Sequence, residues 1–373
     1  MVQSLLISMP MMVCDVFALE LMLSWLRKRE SAQGWLALWA LVTTILYSGH
    51  FIFFHHAHNL LPLSDIIYVG CNLAVYPLYL IYISELTDRH PISTCLPLLV
   101  ALLGLPFVFA VMVWATYANM TPAAIEKFVS TYLYEGTRDG LVGAAEVQVW
   151  IHDVAHVLFG LQVLLVMVAA IRKIHCYNHR LKYIFADTED KHLGGITVVL
   201  WLLVVTSLFS MLVNAIGRQW FEGSLLLALP SLLFSVLLFC IGWIGLSTRS
   251  YIYEMEHVEP VASQVKYETA ASPDYKTLAE QFEQLMNVEQ LYLLHDLRLD
   301  MAVQRLGTNR TYLLAALKQE LGMSFNEYVN HKRIAYARKL MDSNPDLLKS
   351  DVAARSGFHS QSAFYRNWKN LGS

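Results

Sequence analysis

Charge is what this sequence has least of. Asp, Glu, Lys and Arg make up 15% of its 373 residues, against 56% apolar, and a soluble protein usually carries about 25% charged residues. The shortfall argues against an ordinary water-soluble globule and for a chain that meets lipid. Cysteines at metal-ligand spacing are also missing. Cys14, Cys71, Cys95, Cys176 and Cys240 stand far apart, which excludes a cysteine-built metal site and leaves thiols read as reduced or buried. No positive residue precedes the first apolar run, and Arg27-Lys28-Arg29 follow it directly. A cleaved signal peptide has the opposite arrangement, so this run is expected to stay and to place the N-terminus outside.

What charge there is falls unevenly. Residues 1–249 hold 13 Lys/Arg and 15 Asp/Glu. Residues 250–297 hold 2 and 9, a net of −7, and residues 298–373 hold 12 and 6, a net of +6. The order is therefore an apolar bulk, an acidic connector and a basic C-terminal module. Within the bulk, seven segments are apolar enough to cross a bilayer, which takes roughly 20 residues each: near 5–26, 34–54, 64–85, 94–117, 149–171, 195–217 and 224–247. Alternate connectors carry Arg27, Lys28, Arg29, Arg89, Arg172, Lys173, Arg180, Lys182, Lys191 and Arg249; the others carry only Lys127, Arg138 and Arg218. Positive residues stay on the cytoplasmic side, so ten against three predicts an outside N-terminus and a cytoplasmic C-terminal module. The expected class is all-α: 1–249 a seven-span transmembrane domain, 250–274 an acidic linker, and 275–373 a domain of two helix-turn-helix units.

Within that last domain, Leu278, Phe282, Leu285, Val288 and Leu291 or Tyr292 recur at three- and four-residue spacing and predict a helix near 275–294. Next, Asp300–Leu306 reads as a short helix that Gly307 breaks. Thr308 or Asn309 can cap the following one, near 310–320, which buries Leu313 and Leu317 and exposes Arg310, Thr311 and Lys318. Two short helices about a glycine turn make a helix-turn-helix. Ser324-Phe325-Asn326-Glu327 is a capping-box start for a helix expected to bury Tyr328, Ile334, Ala335 and Leu340 and to expose Lys332, Arg333, Arg338 and Lys339. A second unit runs from Leu348 through Gly357 to a helix capped by Ser360.

The residues from Leu299 to Lys369 resemble the DNA-binding domain of the AraC/XylS family. The matching pieces are Leu299-Asp300-x-Ala302, Leu313, Lys318, Gly322-Met323-Ser324-Phe325-x-Glu327-Tyr328 and Arg333-x-x-x-Ala337-x-x-Leu340-Met341. The most specific is Val352-Ala353-x-x-x-Gly357-Phe358-x-Ser360-Gln361-Ser362-x-Phe364-x-Arg366-x-Trp368-Lys369. The family's usual Gly-x-x-Pro-x-x-Tyr/Phe-Arg tail does not follow. The resemblance implies that the second helix of each unit enters a major groove. By position it makes Gln361, Ser362, Ala363 and Arg366 base-edge candidates in the second unit, and Thr311, Leu314 and Ala315 weaker ones in the first. Gln can pair with adenine and Arg with guanine. Arg310, Lys318, Lys332, Arg333 and Lys369 are assigned to phosphates, which position without specifying.

Two features of the apolar bulk remain. His50, His55, His56 and His58 end the second span, and His152 and His156 begin the fifth on the same side. The His152-Asp153-x-x-His156 spacing suits a divalent metal and the cluster would titrate near neutral pH, but no third fixed ligand is evident, which favours interfacial, hydrogen-bonded side chains. Asp15 and Glu20 lie inside the first span, where acids are costly and often functional. The function expected is a membrane-anchored, non-enzymatic transcription regulator in a bacterial inner membrane, with DNA binding under control of a signal at the membrane part. Implied partners are double-stranded DNA, the bilayer, a second copy of the chain and an unknown small-molecule or ionic signal. No cofactor is expected unless a metal sits at the histidines. The competing classes are a seven-span metallohydrolase using His152, His156 and Asp65 or Asp153, and a transporter with a regulatory helical tail.

Overall fold

A computed structural model describes residues 2–88, 91–188, 191–216, 228–248 and 274–371. The fold is all-α. Among the described residues there is no β-strand, only an isolated antiparallel bridge between Phe185 and Arg298. Most of the acidic linker, together with Arg89, Arg218 and Arg249, lies outside the described residues. The chain divides into two compact units, one from Met1–Ile174 and Leu193–Arg249, the other from His175–His192 and the C-terminal part.

The first unit is a bundle of long apolar helices: α1 (Val2–Lys28), α2 (Ser31–Phe54), α3 (Leu61–Thr87), α4 (Pro91–Ala118), the first thirty-odd residues of α6 (Ala144–Ile184), α7 (Gly194–Ile216) and α8 (Ala228–Ser247). Each falls on one of the seven expected segments. Five are long and apolar enough to cross a membrane, whereas α4 and α7 supply shorter apolar stretches, Leu103–Ala118 and Gly194–Phe209. Their surface is the reverse of a soluble bundle's. Phe107, Trp114, Trp150, Leu164, Trp201 and Trp243 are each more than half exposed, while Gln33, Thr43, Asp65, Gln148, His152 and Gln162 are buried. Apolar outside and polar inside is the pattern expected of a bundle that meets lipid. Where α8 crosses α1 and α2, Gly242 and Gly245 lie directly against Phe17 and Leu36, and a Cβ at either position would overlap those side chains.

One piece of this unit was not expected from sequence. Between α4 and α6 lie a short helix, α5 (Pro122–Phe128), capped by the Thr121 hydroxyl, and a π-helical turn, Val129–Tyr134. Thr121-Pro122 is a legible helix start, hidden here because the helix is only seven residues long.

The second unit holds α9 (Tyr275–Glu289), a 3₁₀ turn (Leu291–Leu293), α10 (Leu299–Leu306), α11 (Arg310–Glu320), α12 (Phe325–Ser343), α13 (Lys349–Arg355) and α14 (Gln361–Leu371). Asp274 caps α9, accepting from the amides of Lys276 and Thr277 at 3.1 and 3.2 Å. The buried stripe of α9 is Leu278, Phe282 and Met286, and Val288 points outward at 73% exposure. The expected helix therefore ends earlier, at Gln290, whose φ of 50° takes the left-handed turn. Asn309 is the cap of α11, receiving the Tyr312 amide at 2.8 Å. The Ser324–Glu327 capping box closes as expected, and the Ser324 amide and hydroxyl hold the Glu327 carboxyl below its usual range. On α12, Ala337 faces inward and Ala335 outward.

Two cores organise this unit. One joins α9, α10, α11 and the start of α12; the other joins the end of α12 to α13 and α14 around Ile334, Phe358 and Phe364. The last turns of α6 and the loop after it also belong here. Ala186 is fully buried in the first core. Its amide donates to the Leu297 carbonyl at 3.1 Å, and Asn326 Nδ2 donates to the Ala186 carbonyl at 2.6 Å. From sequence, residues 172–191 are expected to be a basic connector between two spans. Instead α6 continues helical to Ile184, and its loop is built into the C-terminal module.

Candidate DNA-reading face and ligand cavity

Both helix-turn-helix units form: α10 with α11, and α13 with α14. In the second, Val352, Ala353, Ala363 and Phe364 are buried, which fixes the rotation of α14 and turns Gln361, Ser362, Tyr365 and Arg366 outward. Ala363 is 2% exposed, so its assignment as a base reader is corrected: its methyl group fills the core. Tyr365, 47% exposed, takes its place on the outer face. Its position four residues after Gln361 was the available signal. The turn depends on Gly357, whose φ is +83° and whose missing side chain leaves room for the backbone at Tyr292 and Leu293, 2.7 to 2.8 Å from where a Cβ would stand.

In the first unit Thr311, Leu314 and Ala315 are half-buried, and Leu314 packs against the core. Lys318 and Lys369 are exposed, as expected of phosphate contacts. Lys332 is half-buried, donating to Asn287 Oδ1 at 2.9 Å and lying 5.4 Å from the Tyr328 ring. Two assignments to phosphate are corrected. Arg310 is drawn in by an ion pair with Asp300. Arg333 is fully buried: its Nε and Nη2 donate to the Tyr292 and Leu294 carbonyls, each at 2.7 Å, and the guanidinium lies 5.6 Å from the Phe358 ring. Burial pushes its pKa down to about 10, with the Asp187 carboxylate opposing the fall. Arg333 therefore ties α12 and the second helix-turn-helix to the 3₁₀ turn, and its guanidinium lies in the interior, away from the surface.

The helical bundle contains a cavity of about 380 Å³, within the size range of small-molecule sites. Its floor is a buried network. Asp65 Oδ1 accepts from His152 Nε2 at 2.9 Å, and Oδ2 accepts from the Tyr117 hydroxyl at 2.8 Å and from Gln148 Nε2 at 3.4 Å. The other ring nitrogen of His152 faces the Gln148 carbonyl at 2.9 Å. At the mouth Arg138 pairs with Asp153 at 2.9 Å. Aromatic rings make the wall. Tyr132 and Tyr134 come from the π-turn, and Tyr134 stacks on Phe53 at 4.7 Å.

Of the six expected histidines, His50, His152 and His156 line this one cavity. His56 and His58 instead pack around Tyr134, with ring centroids 5.1 and 5.6 Å away, and His55 stacks on Phe51. Among the described residues no three His, Cys, Asp or Glu side chains are placed to hold a metal ion. Asp15 and Glu20 are exposed on α1 and do not line the cavity.

Comparison with known proteins bears on the C-terminal module. The helix-turn-helix domain family matches residues 302–371. A relative from Bacillus subtilis (strain 168), named as an uncharacterized HTH-type transcriptional regulator, YtdP, is 28% identical over 116 residues, which is 31% of this chain and 14% of that protein. This chain thus spans about a seventh of that relative's length. No solved structure matches at a significant level. With its two glycine-turn helix pairs and the Gly357-to-Trp368 pattern folded as described, the C-terminal module is an AraC-type helix-turn-helix domain.

Proposed function

We propose that this protein is a membrane-anchored, one-component transcription regulator whose DNA binding is set by a ligand at the cavity of its helical bundle. The DNA-binding half rests on α14, which presents Gln361, Ser362, Tyr365 and Arg366 on one exposed face. Arg366 and Gln361 read base edges, while Lys318 and Lys369 meet phosphates. Arg366→Ala is expected to cost roughly 1–3 kcal/mol and to relax preference at one base pair. Lys318→Ala should weaken all sequences alike and reduce the salt dependence. Footprinting with the full chain in membranes separates the two, and identical behaviour of both variants overturns the assignment of Arg366.

The anchoring half rests on the apolar outer faces of α1–α4 and α6–α8, read as seven spans with the N-terminus outside and the C-terminal module in the cytoplasm of a bacterial inner membrane. Reporter enzymes fused after Arg249 are expected to show cytoplasmic activity, and those fused after Arg138 periplasmic activity. The reverse pattern would remove the module from its DNA and with it this function.

Control by a signal has a structural carrier. α6 brings His152, Asp153 and His156 to the cavity, and the loop that ends it is built into the DNA-binding module through Phe185, Ala186 and Asp187. A ligand that shifts α6 acts on the module through this loop and need not work through the 250–274 linker. A ligand shifts such an equilibrium only by its differential affinity for the two states. A metallohydrolase gains no support, since Asp65 is already bound to His152.

A further inference from the structure

We propose that the cavity binds a small organic cation, an amine or quaternary ammonium on an apolar or aromatic body. The inference rests on the reading of the cavity as the place where the signal enters. The charges around it leave little else. Both ring nitrogens of His152 face acceptors, one the Gln148 carbonyl and the other Asp65, so the Asp65 carboxylate is already met inside the buried network. Arg138 and Asp153 neutralise each other at the mouth. The third carboxylate in the lining, Glu135, has no ion-pair partner among the described residues. Apart from the imidazoles of His50 and His156, Glu135 is therefore the unmatched charge of the lining.

An anion seated on Arg138 would take it from Asp153, and one seated on His152 would open the buried Asp65 network; opening a buried pair leaves an uncompensated charge. A monocation requires neither. It completes Glu135 at the rim, and Tyr68 and Tyr132 supply aromatic rings, backed by the Phe53–Tyr134 stack, that attract cations through their negative faces. The π-turn is what puts Tyr132, Tyr134 and Glu135 on the same rim. The extra residue per turn of a π-helix reorients side chains, and such turns recur at functional sites. Asp65, with both oxygens engaged, acts as a positioning residue that fixes His152 and Tyr117 and does not itself meet the ligand.

The test is direct binding to the full chain in lipid nanodiscs, by calorimetry and thermal shift. The probes are choline, benzyltrimethylammonium and tyramine, set against 3,3-dimethyl-1-butanol, the neutral isostere of choline, and benzoate. At least one cation is expected to bind saturably, with the neutral isostere and the anion weaker by roughly tenfold or more. Glu135→Gln should weaken the bound cation by a similar factor, and Tyr132→Leu should do so without changing the charge. Glu20→Gln, on the exposed face of α1, should change nothing. Absence of binding by all three cations overturns the proposal, as does equal binding of isostere and cation, or a Glu135→Gln variant that binds as before. The same preparations are footprinted on DNA. Intact DNA binding with no cation binding sinks only the ligand class, whereas cation binding without DNA binding sinks the regulator reading and leaves the cavity assignment standing.

Discussion

Arg333→Ala is expected to destabilise the C-terminal module by about 3–5 kcal/mol, a large share of what holds it folded, and to weaken DNA binding alike at every sequence and salt concentration. The side chain is fully buried and donates to two backbone carbonyls, of Tyr292 and Leu294, in and just after the 3₁₀ turn. Removing the guanidinium strands both acceptors in a dry interior and opens a large cavity between α12 and Phe358. A domain of this size has only about 5–15 kcal/mol to lose. Arg333→Lys should recover little, because an ammonium cannot fork to two carbonyls as a planar guanidinium does. Denaturant unfolding followed by circular dichroism reads the loss. A variant that stays folded and changes only the salt slope of DNA binding would return Arg333 to the phosphate role its place in the sequence suggests.

That residue also shows where the sequence stops being legible. Apolar patterning located the long helices among the described residues, because the bundle helices are unbroken apolar runs and those of the C-terminal module keep a fixed buried stripe. The cap residues Asn309 and Ser324 were readable for the same local reason. The direction of a polar side chain at the edge of a stripe was not. Arg333 follows Lys332 directly and looks equally solvated, yet one turns in to two carbonyls and the other lies against Tyr328. Ala363 and Tyr365 exchange roles through a modest difference in helix rotation. Val288 completes an apolar period that Gln290 cuts short. In the bundle, the pairing of Asp65 with His152 joins residues 87 apart, and no local pattern announces it. The His152-x-x-x-His156 spacing drew attention to a metal, while the partner that matters comes from another helix.

The loop after α6 is the least legible part, and Asp187→Asn tests it. Asp187 Oδ2 accepts from the His359 amide at 3.4 Å, at the entrance to α14, and its charge favours the buried Arg333 guanidinium. The neutral variant is expected to lower the module's stability by roughly 1–3 kcal/mol, the worth of a charge-assisted contact to a buried group. It should also speed amide exchange at the turn from Tyr292 to Leu294, more than a hundred residues away in sequence. The effect on DNA runs the other way. Amides at the start of a recognition helix are where a phosphate seats, and a carboxylate already there both competes with and repels it. Low-salt affinity of Asp187→Asn should therefore rise even as stability falls. His192, in the same loop, gives a pH signature. Burial, then the cations of Arg366 and Lys182, hold its pKa below 6.5. An imidazole with a depressed pKa in the docked state binds its proton more readily undocked, so docking is at full strength above about pH 6.5 and weakens as the pH falls below it. Stability and affinity that fall together in Asp187→Asn would show that the loop braces the module without competing for DNA. No change in either would show that α6 and the module are uncoupled through this loop.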